Sequence, residues 1–331
     1  YRDRQSAYVF AVNALGTQSD ARIVNDGRTT DVTWDAEWVV RSRIQEWGWS
    51  AEMAIPLTAL RFQAGEARTW GVNFGRGRRR NLELAFWAGP LDAELRVSQA
   101  GELRGLSLRQ PPSRHMGILY GLTRIQDGAE PFQDAGLDFR YAITSGVNLS
   151  GTLNPDFATV EADQEQVNLT RFELSLPEKR NFFLEGKEIY NQRIQLFYSR
   201  RIGDIYGGAK LYGQAGGLEF SGLTAQTRPN ETAGTDSANF SVFRLKKDIF
   251  KDSSVGFLAA NRLVGGRNTG TAGLDTSINF SRVFHFTGQM AVSYGEAKGS
   301  NVAFFLRPSV DTATFHFHVR YTQLGETFGD N

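Results

Sequence analysis

The chain has 331 residues, with 37 Lys and Arg against 36 Asp and Glu and no cysteine. That balance supplies no global field for nucleic acid, so no nucleic-acid partner is expected, and the lack of thiols excludes disulfides, thiolate metal sites and cysteine nucleophiles together. No window approaches the ~18 consecutive apolar residues of a transmembrane helix, which excludes a helical membrane protein. A β-barrel stays open, because its strands need only about 9–11 residues with alternate positions apolar, and the mean hydropathy of -0.36 is compatible with one.

All six tryptophans lie before residue 88, which sets the front of the chain apart. Short alternating runs at Tyr8 to Asn13, Trp47 to Ile55, Thr69 to Arg76 and Leu82 to Trp87, separated by Gly, Asn and Asp turn signals, predict a β-sandwich. In the second run Trp49, Ala51, Met53 and Ile55 share a face and are expected in its core, with Ser50 and Glu52 opposite. Flat indole rings cover the apolar faces of sugars while nearby acids bond the hydroxyls. Trp34 and Trp38, beside Asp31 and Asp35, are therefore the candidate exposed glycan contacts, set against the ordinary role of tryptophan as a core residue. The arginines from Arg76 to Arg80 suit an anionic group through forked donors, but a solvated hairpin end with Glu83 as partner explains them as well and is the reading adopted. Pro111 and Pro112 then deny a sheet its donors and stiffen the chain. Residues 1–108 are expected to be one domain, 109–114 a linker and 115–331 a second domain.

Beyond the linker, two-faced runs recur at Ala135–Ile143, Val147–Leu153, Ala209–Gly213, Leu218–Ala225, Phe240–Leu245, Val255–Arg262, Thr271–Val283 and Phe286–Tyr294. The strictest sets Phe315, Phe317, Val319 and Tyr321 against Thr314, His316, His318 and Arg320. A soluble sandwich would alternate in the same way. The longest runs exceed the usual strand of about five or six residues, and this favours a membrane-sized antiparallel barrel with a polar interior.

Within this region Asn154 to Gly203 carries eight carboxylates, Asp156, Glu161, Asp163, Glu165, Glu173, Glu178, Glu185 and Glu188, together with Lys179-Arg180 and Arg200-Arg201. Charge at that density must be solvated, paired or lining a polar cavity. The two-residue spacing of Glu161, Asp163 and Glu165 would suit a hard cation such as Ca²⁺, yet the glycine of the common calcium loop is missing, and ion pairing is the reading carried forward. No cofactor or metal site is expected. Nothing fixes two carboxylates at the separation glycoside hydrolysis requires, no Gly-x-Ser-x-Gly elbow is present, and His316 and His318 lack a third ligand, so no catalytic residue is assigned.

Asn154-Pro155-Asp156-Phe157, Val160-Glu161-Ala162-Asp163, Pro177-Glu178-Lys179-Arg180, Phe182-Phe183-Leu184-Glu185-Gly186 and Phe197-Tyr198-Ser199-Arg200-Arg201-Ile202-Gly203 resemble, in this order, blocks of a family of bacterial outer-membrane β-barrel proteins. Its members pair an N-terminal domain like carbohydrate-binding module family 9 with a C-terminal barrel domain of unknown function. Asp3-Arg4, Ala7-Tyr8-Val9-Phe10 and Gly48-Trp49-Ser50-Ala51-Glu52-Met53-Ala54-Ile55-Pro56 are similar to the family's module. Residue 1 falls inside that module and Gly325-Glu326-Thr327-Phe328 inside the barrel, so an internal fragment is expected.

The resemblance implies an all-β chain, a partial β-sandwich followed by part of an antiparallel transmembrane β-barrel. It implies residence in the outer membrane of a Gram-negative bacterium, with the front domain periplasmic or surface-exposed. Asp156, Glu161, Asp163, Glu178, Lys179, Arg180, Glu185, Arg200 and Arg201 would form a lumen charge network, with Phe182, Phe183 and Phe197 directed away from it. The expected partners are a glycan or oligosaccharide and outer-membrane lipid, and the expected function is carbohydrate binding or uptake. The alternatives are a polysaccharide-acting hydrolase with the sandwich as targeting module, or a structural outer-membrane scaffold.

Overall fold

The computed structural model describes residues 4–329 apart from 5, 25, 28, 33, 61, 63–64, 92–93, 110–114, 125–131, 145, 156–177, 230–233, 251–252, 282, 296–298 and 313. Those residues build an all-β structure of antiparallel sheets, with one four-residue helix, α1 (Asn181–Leu184), and a few 3-10 turns.

The front of the chain divides into small sheets. β1 (Ala7–Val12), β2 (Gln18–Val24) and β3 (Thr29–Asp31) pair in that order, and β4 (Val39–Gln45) forms a hairpin with β5 (Gly48–Ala54). β6 (Gly65–Val72) leads through the hairpin of β7 (Gly75–Arg78) and β8 (Glu83–Phe86) to β9 (Gly101–Leu108), which pairs back with β6. The expected core face of β5 is not a core face: the whole strand is exposed, with Trp49 at 40% and Met53 at 41%. Alternation puts these residues on one side, but no described element covers that side. The buried tryptophan is Trp38, packed edge-on against Phe10 with ring centroids 5.3 Å apart. The expected linker falls between β9 and the next strand, and its residues 110–114 lie outside the described residues.

Among the described residues of the rest of the chain, the strands form a single twelve-stranded sheet. Its strands are β10 (His115–Arg124), β11 (Phe132–Thr144), β12 (Val147–Leu153), β13 (Ile205–Ala215), β14 (Leu218–Thr227), β15 (Ala238–Ile249), β16 (Ser253–Val264), β17 (Arg267–Asn279), β18 (Phe284–Tyr294), β19 (Val302–Asp311), β20 (His316–His318) and β21 (Tyr321–Leu324). Sequence neighbours are sheet neighbours throughout, except that β20 and β21 both pair with β19. The described strands do not close into a ring, since β10 pairs with β11 alone. Strands of 13 residues, such as β11 and β17, are about twice the usual length. At one end of the sheet the hairpins close with short turns; Gly216-Gly217 has the positive φ values, +58° and +72°, that a two-residue turn matched to strand twist requires. At the other end a long connection, residues 154–204, joins β12 to β13.

That connection determines where the core sits. Residues 178–204 lie against one face of the sheet, where Phe182, Phe183, Ile189, Ile194, Leu196 and Ile202 pack on Ile205, Leu223, Ala225, Val242, Leu258, Ala291, Ala303 and Phe305. Glycines make room for the close approach: a Cβ on Gly208 would stand 2.9 Å from the Phe182 ring, and one on Gly273 would stand 2.8 Å from Leu196. The opposite face is apolar and open. In the register Phe257, Leu274, Met290 and Phe304 form one cross-strand row, and Leu274 is 55% exposed.

Candidate functional site: the covered face of the sheet

Two cations that sequence reasoning passed over anchor the covering segment. Lys210 on β13 is 1% exposed; its Nζ donates to the carbonyl of Phe182 at 2.5 Å and to that of Glu185. Arg244 on β15 is 2% exposed; its Nε donates to the Ile189 carbonyl at 3.0 Å, while both Nη atoms grip Asp275 of β17 as a fork. Gln192 also reaches Asp275, at 2.6 Å. Backbone carbonyls and one carboxylate thus satisfy cations that burial would otherwise penalise heavily.

Uncharged groups complete the attachment. The Gln289 side chain of β18 accepts from the Ile194 N–H and donates to the Ile194 carbonyl, both at 2.7 Å, as a short piece of added ladder. Tyr190 bonds Ser221 of β14 at 2.5 Å. Burial pushes the Tyr190 hydroxyl up to about 12, against the lowering effect of that bond, so it stays protonated.

At the start of the segment Glu178 and Arg180 form a bidentate pair at 2.8 and 2.7 Å, and the Ser199 hydroxyl donates to the same carboxylate at 2.7 Å. Arg180 also donates to the carbonyls of Ile202 and Ser199 and lies 4.3 Å from the Phe183 ring centre. Burial alone would raise the Glu178 carboxyl; the hydrogen bonds from Arg180 and Ser199, with the Arg180 charge, outweigh it and hold the group below the usual carboxylate range.

Of the expected charge network, the described residues show one pair and one different partnership. Glu178 meets Arg180, but Glu185 pairs with Arg140 of β11 and accepts from the Tyr212 hydroxyl at 2.7 Å rather than joining a basic residue of its own segment. Lys179 donates its backbone N–H to Glu178, and Arg200 and Arg201 lie in the 3-10 turn Ser199–Arg201. Asp156, Glu161 and Asp163 lie outside the described residues. So does Glu165, and with it the Ca²⁺ question; among the described residues no group of three or more His, Asp and Glu is placed to hold a metal ion.

The expected glycan contacts are not all exposed. Trp38 is 7% exposed and its indole N–H donates to Asp20 at 2.9 Å, so burial for packing has removed it from the surface. Trp34 is half-buried against Tyr8 and Phe10. Asp31 lies 3.6 Å from Lys187 of the covering segment, and Asp35 is exposed. The most exposed indole rings are Trp47, at the tip of the β4–β5 hairpin, and Trp87, edge-on to Phe74 with centroids 5.9 Å apart. Arg78 pairs with Glu83 at 3.3 Å on the exposed β7–β8 hairpin, as the solvated reading of that arginine run supposes.

The small front sheet also meets the large one. Arg22 of β2, 3% exposed at its side chain, pairs with Glu188 of the covering segment and stands 3.4 Å from Glu219 of β14. Arg96 pairs with Asp26 at 3.0 Å and lies 3.9 Å from Asp311 at the end of β19. These contacts fall at the short-turn end of the sheet. Beside β10, a cavity of ≈ 280 Å³ opens between Met116, Ile118 and Arg140 of the sheet and Phe182, Leu184 and Glu185 of the segment.

A family model described as a domain of unknown function (DUF5916) matches residues 121–214. The matched stretch runs from within β10 to within β13 and includes the covering segment. No curated protein and no solved structure matches the chain.

Proposed function

We propose that this chain forms wall strands and an internal plug of an outer-membrane β-barrel, and that its front domain lies on the periplasmic side and serves glycan capture or uptake. The observation that carries the reading is the polarity of the large sheet. Its uncovered face bears the exposed apolar row Phe257, Leu274, Met290 and Phe304, while its covered face sets Lys210, Arg244, Asp275, Ser221 and Gln289 among the apolar residues that pack under the segment. A water-soluble sheet turns mostly polar residues to its open face, and a contiguous exposed apolar belt calls for an apolar surrounding. In such a barrel residues 178–204 would fill the lumen, and Arg244–Asp275 and Lys210 would hold them there. Outer-membrane barrels turn their short hairpins toward the periplasm, and the front domain contacts that end, which supports the periplasmic side for it. Trp47, Trp87 and Phe74 are the exposed rings that a glycan would use.

The test is to fractionate cells making the protein and to pass the detergent extract over immobilised polysaccharides. Recovery with the outer membrane, with retention on a polysaccharide lost in a Trp47→Ala/Trp87→Ala variant, is expected. Recovery in the soluble fraction without detergent overturns the membrane reading, and retention unchanged in the variant overturns the glycan contacts.

A further inference from the structure

We propose that Arg193, Arg307 and Arg320 form a binding site for a phosphate-class oxyanion on the covered face of the sheet. The register brings the three together. Ala303, Phe305 and Ser309 are the buried residues of β19, so Arg307 shares their face. Ser309 pairs with His318, Leu306 pairs with Tyr321, and the Val319 N–H donates to the Pro308 carbonyl, which sets Arg320 opposite Arg307 on that face. On the other flank Thr287 of β18 pairs with Arg307. Gln289, two residues along the same face, clamps the backbone of Ile194, and this brings Arg193 up to the row.

Among the described residues no carboxylate stands in ion-pair reach of any of these guanidiniums. The acid on the same face of β19, Asp311, is engaged by His316 and lies near His285 and Arg96. The Arg307 Nε is shielded from solvent and has no hydrogen-bond partner. Desolvation first, and then the charges of Arg307 and Arg320, lower the Arg193 pKa, although the residue as a whole stays exposed. This contrasts with Arg22, Arg180 and Arg244 on the same side of the sheet, each of which has its carboxylate.

Guanidinium carries five N–H donors in a planar fork that matches two oxygens of an oxyanion. Three such forks on one patch offer more donors than a carboxylate can accept. They suit the tetrahedral oxygens and near-double charge of phosphate, and the Thr287 hydroxyl is available as a further donor. Clusters of arginine on the inner surface of a pore select anions on the same grounds. The inference goes beyond the membrane reading and does not need it, since the site belongs to the sheet face whatever surrounds the opposite one.

The test is calorimetric titration of the purified full chain, in whichever phase it is recovered, with inorganic phosphate at low ionic strength. Saturable binding at one site per chain is expected, weakened about tenfold in Arg320→Gln, partly restored in Arg320→Lys, and unchanged in Arg43→Gln on the exposed β4. Arg320 is exposed, so its substitution leaves the packing intact, and unchanged thermal melting checks this. A parallel titration with a hexose monophosphate distinguishes the sources: tighter binding than phosphate identifies an organic ester, and equal or weaker binding identifies the free ion. Absence of saturable binding at millimolar phosphate, equal competition by chloride, or full affinity in Arg320→Gln overturns the proposal.

Discussion

Glu178 shows how one carboxylate in a charge-dense segment becomes structural. Its side chain is 6% exposed, and its pKa is lowered because the bonds from Arg180 and Ser199 outweigh burial. The folded value therefore lies below the unfolded value of about 4.3, so the stabilisation is fully present above that pH and is lost as pH falls through the folded value. Glu178→Gln is expected to cost about 1.5–3 kcal/mol at neutral pH, the range for hydrogen bonds to charged groups. It should also flatten the acid limb of the stability curve. Thermal melts of both proteins from about pH 6 down to about pH 2 check this; parallel curves would show that Glu178 is not linked to folding. The Glu178–Arg180 pair was legible because charge density alone demands partners. Lys210 and Arg244 were not legible. A lone cation in a strand reads as a solvent-facing position; alternation puts Arg244 on one face with Val242, but only the fold shows that a segment of remote sequence covers that face.

At the scale of elements, period-two alternation carried most of what could be read. Phe315, Phe317, Val319 and Tyr321 do share one exposed side of the chain's last strands, opposite His316 and His318. β5 shows the limit of that signal, because alternation identifies two faces without saying whether anything covers either. The segment 178–204 shows another limit. It has almost no regular structure, so no periodicity announces which face it covers, and its hold on the sheet comes from side chains bonding its backbone. Gln289→Ala removes both bonds to Ile194 and leaves a buried N–H and C=O unsatisfied, at a cost of about 1–3 kcal/mol each. Amide hydrogen exchange should accelerate across residues 189–196, while the paired amides of β14 to β17 keep their protection. Unchanged exchange in the segment would mean that the apolar packing of Ile194 and Leu196 holds it without Gln289.

At the scale of the molecule, strand order was legible because consecutive antiparallel hairpins leave little choice, whereas the docking of the front sheet was not. Arg22 meets Glu188 and Glu219 across long stretches of chain, and Asp31, which sequence offered to a sugar, lies beside Lys187. The same scale holds the decisive question of what surrounds the apolar row. Leu274 lies mid-strand between Phe257 and Met290 and is 55% exposed, so the two surroundings predict different costs for a charge placed there. In water Leu274→Lys changes an open surface position and should alter stability by no more than about 0.5 kcal/mol. Facing lipid near the bilayer midplane, the same lysine should destabilise the protein by about 2–4 kcal/mol. Denaturant unfolding of wild type and Leu274→Lys in lipid vesicles separates these outcomes; a difference near zero would leave the row facing water and remove the membrane from the functional reading.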